Sequence, residues 1–455
     1  MFNLNQLKKY YTDSPLWMKK LYATIPFDLR NGHEYRKWKH FLNTNISEEE
    51  YELIKIKETV SYAYENTVYY KELFNQLHIT PYDINEKKDL LKLPIMDKNI
   101  VRENYGKLIA NNFSVKKTFY VTTGGTSGTP MKFLQSRNLW GKEVAFFMNF
   151  FSAYGYKSTM IKGSFRGGDF STLPQDTFWI FNPVNNEINF SPTHINQDTI
   201  IRYVEILNKR KPLYLHGFPS SLLFLIYNMK QMNLKLQYQI EAIFLVSEGF
   251  SHNDRNVIMD FFQCNVVSSY GHSERLIFAQ SIKEESKNQN YRIDKRYGLF
   301  ELINNKHEVI TQPGILGEIV GTGFDNYAMP LIRYRTGDYT EYTDTKQNEI
   351  MLVDSNRNQE YIDGKNGVKI AFSSLIRVSQ MEELEIFKYQ IIQAKPGECK
   401  VLIVPHQTFK ENQRNILMRS IKQKVGEALS VDIVIVQQLR RTKRGKFKLL
   451  LKEYR

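Results

Sequence analysis

Cysteine is nearly missing from this 455-residue chain: it has two, Cys264 and Cys399, far apart and in no metal-ligand spacing. That excludes a disulfide framework and a cysteine-built zinc site, and it predicts a reducing, cytoplasmic setting. No stretch of ~18 apolar residues occurs, so no membrane-spanning helix is expected. The first residues scatter leucines and aromatics among lysines and lack the apolar run and small-residue cleavage site of a signal peptide. Internal repeats, low-complexity linkers and recognised nucleic-acid motifs are absent as well.

What is there is the composition of a soluble globular protein, 42% hydrophobic, 13% aromatic and 24% charged. The length exceeds what one core usually supports and predicts at least two domains. The formal charge of +14 is unevenly spread, since positions 440–455 hold eight basic residues and one acid. Such a tail reads as a solvated or phosphate-facing segment, or as an arm for nucleic acid or an anionic membrane surface; without a nucleic-acid motif the first reading is favoured.

Apolar residues at three- and four-residue spacing after Ser47, with acids in the first turn, predict an N-capped helix, and the region to about position 93 reads as a helical cover over a sheet. Asp97 is placed to cap a further short helix. Positions 119–121 and 131–134 read as short strands flanking a loop of Gly, Ser and Thr. Between 139 and 271 helix-like and strand-like runs alternate, and 314–362 reads as antiparallel strands with glycine turns. The expected fold class is α/β. Residues 1–358 form a large N-terminal domain of αβ subdomains with a small β-rich part, helical over 1–93, and 359–455 form a small mobile C-terminal α+β domain.

The chemistry concentrates in four places. Thr122, Thr123, Gly124, Gly125, Thr126, Ser127, Gly128, Thr129 and Pro130 supply glycines that let backbone N–H groups approach an anion, and hydroxyls that bond phosphate oxygens. The run lacks the Gly-Lys-Ser/Thr of a Walker loop, so on composition alone a flexible surface turn explains it too. Ser269, Tyr270, Gly271, His272, Ser273 and Glu274 follow. Glu274, just after a tight Tyr-Gly step, can hold a divalent cation by one carboxylate oxygen beside nucleotide phosphates, or simply occupy a surface turn. Next come Arg333, Tyr334, Arg335, Thr336, Gly337 and Asp338. Asp338, after a glycine that follows a strand, can accept two hydroxyl hydrogen bonds, as a ribose offers, or cap a turn. Arg333 and Arg335 alternate along one expected strand and so share a face, as ligands or as ion-pair partners. Arg444, Gly445 and Lys446 close the series in the basic tail.

These four motifs, in this order, resemble those of the adenylate-forming superfamily of acyl-CoA synthetases, luciferases and peptide-synthetase adenylation domains. The stretches GEIVGTGFDNYAMPLIRYRTGD and RTKRGKFKLL are similar to signatures of its phenylacetate–CoA ligase and capsule-biosynthesis CapK branch. The likeness covers about residues 90–455. It implies an ATP-dependent ligase that converts a carboxylic acid into an acyl-AMP, releases pyrophosphate and passes the acyl group to coenzyme A, or to an amino or hydroxyl group on a sugar. It implies ATP and Mg²⁺ as cofactors, with the loop 122–130 and the 269–273 segment around the nucleotide. Tyr270 would line the adenine site, Glu274 hold the metal, Asp338 hold the ribose, and Lys446 be the adenylation lysine, with Lys443 its nearest rival. Glu248 and Gly249, after the apolar run AIFLV, match a glycine-containing turn beside the adenine, or merely end a strand. Arg357 stands in the hinge motif as a ribose or phosphate contact.

The sequence also departs from the pattern. Thr129 stands where many relatives carry lysine, and Asn356, Gln359 and Glu360 replace the glycine and paired aspartates of the hinge. Phe146, Phe147, Phe150 and Phe151, with His216, Gly217 and Phe218, read as core or as the walls of an apolar pocket, the core being the commoner outcome. A different class of answer is a non-catalytic nucleotide- or polyanion-binding protein that keeps the fold. The presence of Glu274, Asp338 and Lys446 together favours the enzyme, and no specific nucleic-acid partner is expected.

Overall fold

The computed structural model describes residues 14–114, 117–122, 131–166, 170, 174, 176–282, 290–351, 361–365, 369–371, 383–406, 408–442, 445 and 447–454. The described residues begin with helices α1 (Leu16–Ala23), α2 (Phe27–Arg30), α3 (Gly32–Leu42), α4 (Glu48–Asn66), α5 (Val68–Gln76), α6 (Lys98–Glu103) and α7 (Tyr105–Leu108). The caps follow the sequence signals. The Ser47 side chain accepts the Glu50 amide at 3.3 Å at the start of α4, and Asp97 accepts the Asn99 and Ile100 amides at 2.8 and 2.9 Å at the start of α6.

An antiparallel hairpin follows, β1 (Thr118–Thr122) with β2 (Lys132–Ser136), whose last pair is Thr122 with Lys132. The strands therefore end where the Gly/Ser/Thr run begins, as the composition predicts. The main body then alternates helix and strand: α8 (Asn138–Ser152), β3 (Lys162–Phe165), β4 (Trp179–Asn182), β5 (Glu187–Phe190), α9 (Ile200–Arg210), β6 (Tyr214–Gly217), α10 (Pro219–Gln231), β7 (Ala242–Leu245), α11 (His252–Phe262) and β8 (Asn265–Gly271). Short strands β9 (Phe278–Ser281), β10 (Asn290–Ile293), β11 (Gly298–Ile303), β12 (Gly317–Gly323), β13 (Tyr334–Thr340) and β14 (Glu349–Met351) complete it.

Nine strands form one sheet in the order β14-β10-β9-β8-β7-β6-β3-β5-β4, and β11-β12-β13 form a separate antiparallel sheet. Strands β5, β3, β6, β7 and β8 run parallel, and both faces of this central part are covered. Hence β7 is a continuous apolar run with every residue buried. On one face α8 packs its phenylalanines: Phe146, Phe150 and Phe151 are buried, and the Phe151 ring lies 4.1 Å from that of Phe244. Those aromatics are core, the commoner of the two outcomes open in the sequence. On the other face α9 and α10 cover Ile188, Leu215, Ile243 and Leu245.

Buried charge ties the N-terminal helices to this body. Asp325 takes the Lys55 ammonium of α4 at 2.8 Å and the Lys142 ammonium of α8 at 2.7 Å. Burial alone would raise the Asp325 carboxyl, but the two lysines overcome it and hold it at about 2.

After a short hairpin of β15 (Tyr361–Asp363) and β16 (Lys369–Ala371), the chain forms β17 (Ile386–Lys395), β18 (Glu398–Pro405), α12 (Glu411–Val425), β19 (Ser430–Ile435) and β20 (Leu450–Lys452). The last four strands make a sheet of order β19-β18-β17-β20, the small α+β unit expected. Ile392, Leu402, Val404 and Leu439 of this unit join the apolar cluster of α10, where Tyr227 stacks on Phe387 with centroids 4.5 Å apart. The expected boundary at 358/359 falls in 352–360, outside the described residues. No described helix is long and apolar enough to cross a membrane.

Candidate active site

In an open parallel sheet, ligands collect outside the carboxyl ends of the strands. Here those ends belong to β6, β7 and β8, and the predicted residues gather there and on the neighbouring β13. Tyr270, at the end of β8, donates its hydroxyl to Asp338 Oδ2 at 2.9 Å. Asp338 lies inside β13, not in a turn after it. The register of β13 against β12 shifts between Glu318 and Val320, opposite Gly337, whose φ of +77° suits glycine. The bulge presents a buried Asp338 to the end of β8.

Glu274 forms the second half of the constellation. Its Oε1 accepts the Tyr334 hydroxyl at 3.2 Å, and its Oε2 lies 3.2 Å from His272 Nδ1. Burial pushes the Glu274 carboxyl up, but the His272 bond and charge, with a backbone amide and Lys98, bring it below the ordinary glutamate value. Burial and the adjoining carboxylate push the Tyr334 phenol well above its usual value, so it stays a donor. The two tyrosines are thus matched: each closes one carboxylate onto the neighbouring element. His272 Nε2 is buried and has no partner among the described residues. Buried β2 joins the same loop, with Gln135 Nε2 donating to the Ser273 carbonyl at 2.8 Å.

The arginines of this motif are structural. Arg333 precedes β13 in a left-handed conformation, φ +52°, so it does not alternate with Arg335 along one strand. It is buried against Glu301, with Nε at 3.2 Å from both carboxylate oxygens, and donates to the Leu93 carbonyl at 2.7 Å. Arg335 pairs with Glu318. Of the two readings the sequence left open, the ion-pair one holds for both.

Glu248 has a contact that sequence reasoning missed. Its Oε2 accepts the Ser220 amide at the start of α10 at 3.2 Å, and its Oε1 accepts the Phe447 amide of the small domain at 2.6 Å. Arg441 reaches from the same segment to Ser220 Oγ at 3.0 Å, Ser221 Oγ at 3.2 Å and the Gly445 carbonyl at 3.0 Å. Gly445 and Phe447 are therefore both anchored over the ends of β6 and β7. Gly249 is exposed beside Glu248. Residues 123–130, Arg357, Lys443 and Lys446 lie outside the described residues, as do Asn356, Gln359 and Glu360.

Known proteins resemble this chain in sequence and fold. Residues 362–453 fit the family model of the CapK C-terminal domain. Across 453 residues the chain is 23% identical to protein CapK of Staphylococcus aureus, covering 97% of this chain and 98% of CapK. Across 302 residues it is 23% identical to the phenylacetate-coenzyme A ligase of Pseudomonas putida, covering 64% of this chain and 66% of the ligase. The chain is a homologue of CapK and of phenylacetate-coenzyme A ligases. Its fold is that of the adenylate-forming acyl-CoA ligases. It superposes on 2-hydroxyisobutyryl-CoA ligase in the postadenylation state with a TM-score of 0.65, at 15% identity and 89% coverage of both chains. Against the same ligase in the thioesterification state, at equal coverage, the TM-score is 0.55.

The homology adds no residue to the site, but the structure adds three. Tyr334 was legible as part of the motif around Asp338, and its link to Glu274 was not. Gln135 and Arg441 had no signal, because a glutamine in a strand and one arginine in a basic run look like any other.

Proposed function

We propose that the protein is an AMP-forming ligase that activates a carboxylic acid with ATP and transfers the acyl group to coenzyme A. The observation that carries this reading is the pair of buried carboxylates, Asp338 and Glu274, each closed by a tyrosine from the adjoining element at the carboxyl end of the parallel sheet. Asp338 accepts the ribose hydroxyls, and Tyr270 keeps its second oxygen engaged while lining the base. A carboxylate oxygen of the acid attacks the α-phosphorus, the bond to the bridging oxygen breaks, and pyrophosphate leaves with the electron pair. In the second step the acceptor sulfur attacks the acyl carbonyl, the thiol proton is lost, and AMP departs.

Glu274, held ionised, suits a divalent cation, and the unpartnered His272 Nε2 beside it suits a phosphate oxygen. Among the described residues no group of three or more His, Cys, Asp or Glu could hold a metal, so nucleotide oxygens would supply the cation's other ligands. Mg²⁺ bound there would neutralise charge on the phosphates. Lys446 is flanked in sequence by Gly445 and Phe447, whose backbone groups bond Arg441 and Glu248, which supports its role at the reacting centre, with the loop 122–130 around the phosphates. The better superposition on the postadenylation state supports reading this domain arrangement as the one that serves the first half-reaction. The small domain, 359–455, would then swing about the segment around Arg357 for the second.

An amino or hydroxyl group on a sugar is the alternative acceptor, resting on the full-length match with CapK. ATP–pyrophosphate exchange against a panel of carboxylic acids tests the first step, and screening coenzyme A and amino sugars with the responding acid tests the second. Absence of exchange with every acid, in a protein that binds ATP, would sink the enzyme reading in favour of a nucleotide-binding relative.

A further inference from the structure

Exposed apolar side chains are not spread evenly over this protein. Seven of the twenty-three large ones among the described residues fall between positions 16 and 29: Leu16, Trp17, Met18, Leu21, Tyr22, Ile25 and Leu29. Helix α1 buries none of its residues, and Trp17 and Leu21 are 65% and 64% exposed. Single exposed leucines need no explanation, but a cluster of this kind is covered by something in use. The same stretch is basic: positions 14–39 carry six lysines and arginines against two acids, and one of these acids, Asp28, is already paired with Lys39 at 2.7 Å.

Beside it lies a cavity of about 520 Å³ lined by Lys37, Lys117, Arg137 and the exposed Trp140. It sits where α3 and α8 both begin, packed so closely that a Cβ on Gly141 would stand 2.6 Å from the Tyr35 nitrogen. Neither helix has a side-chain cap at its N-terminus, so both present first-turn amides and the positive end of their dipoles. Arg137 Nε is buried with no partner among the described residues. The acids on the lining are Glu34, which lies beside His33, and Asp325, which two lysines neutralise.

We propose that this N-terminal face docks on an anionic membrane surface, with α1 and α2 lying in the interface and the basic cavity taking a lipid phosphate. Tryptophan, tyrosine and leucine next to lysine are what an interfacial helix uses, and charge complementarity selects anionic lipid over a neutral partner. With no described helix able to span a bilayer, the attachment is peripheral. The inference is independent of the ligase reading, since the face is built from α1–α3 and the start of α8, and none of the residues it uses is placed in the nucleotide site.

The test is flotation of the full chain with vesicles of phosphatidylcholine alone or mixed with phosphatidylglycerol. The expected result is binding to the mixed vesicles with a blue shift of tryptophan emission, and weak binding to phosphatidylcholine. The exposed-site double variant W17S/L21S should lose roughly tenfold or more in partitioning, with unchanged melting and ATP–pyrophosphate exchange. Arg137→Gln should reduce the preference for phosphatidylglycerol. Wild type that stays in the aqueous phase with both vesicles, or W17S/L21S that binds as wild type does, overturns the proposal. So does a wild-type dimer by light scattering that W17S/L21S converts to monomer with no vesicle binding, because a second copy would then be the occupant of this face.

Discussion

Replacing Glu248 with alanine should cripple acyl-AMP formation while sparing transfer from acyl-AMP to the acceptor. The carboxylate makes two bonds to backbone amides, but only the one to Phe447, at 2.6 Å, crosses between domains. The other, to Ser220 at 3.2 Å, caps α10 within the large domain. A charge-assisted bond of this kind contributes about 1.5–3 kcal/mol, so its loss should depopulate the docked arrangement roughly 10- to 150-fold. Losing the cap should lower global stability by only about 1 kcal/mol. Pyrophosphate exchange reads the first half-reaction, and product formation from synthetic acyl-AMP reads the second. Glu248→Gln keeps an acceptor oxygen and should fall between. Arg441→Gln, which frees the Gly445 carbonyl and the Ser220 and Ser221 hydroxyls, should act in the same direction and couple to Glu248 in a double-mutant cycle. Normal exchange in Glu248→Ala, or equal loss in both half-reactions, would refute the idea that this latch positions the small domain for adenylation.

Lys446→Ala should lower exchange by ~10²–10³-fold and leave transfer from preformed acyl-AMP largely intact, whereas normal exchange would move the assignment to Lys443. Asp338→Asn should weaken ATP binding roughly 10- to 100-fold by calorimetry, since it replaces one of the two acceptor oxygens, the pair that also holds Tyr270, with a donor; unchanged affinity would count against ribose binding there. Lys162 offers a pH test. Burial lowers its ammonium from 10.5 to about 8, with Glu187 opposing and Arg166 reinforcing the shift. The folded state therefore binds fewer protons than the unfolded one between those values, so wild-type stability should rise across that window. Lys162→Met removes this titration but also leaves the buried Glu187 to the charge of Arg166 alone, so the sign to read is the slope: the rise in stability between about pH 8 and 10.5 should be smaller in the variant than in wild type. A difference in urea midpoints that does not change with pH would contradict this.

The amino-acid sequence by itself determined the elements and the inventory of the site. Caps at Ser47 and Asp97, the buried run of β7, the hairpin around the Gly/Ser/Thr loop and the small α+β unit were legible because each rests on local periodicity or on hydrogen bonds within a few residues. Asp338 and Glu274 were legible through the resemblance of their motifs to those of a known superfamily, since on the residues alone a turn explained each. What they touch was not, since Tyr270 meets Asp338 across 68 positions and Tyr334 meets Glu274 across 60. The fate of Arg333 was likewise decided by Glu301 and Leu93, which only folding brings near, and by a left-handed backbone that took it off the strand. For Glu248 the sequence offered a turn beside the adenine or a simple strand end, and neither foretold the Phe447 amide that the small domain places on it, 199 positions away. Tertiary structure decided these roles because a side chain's partner depends on which segments pack together, and local sequence pattern carries no information about distant register.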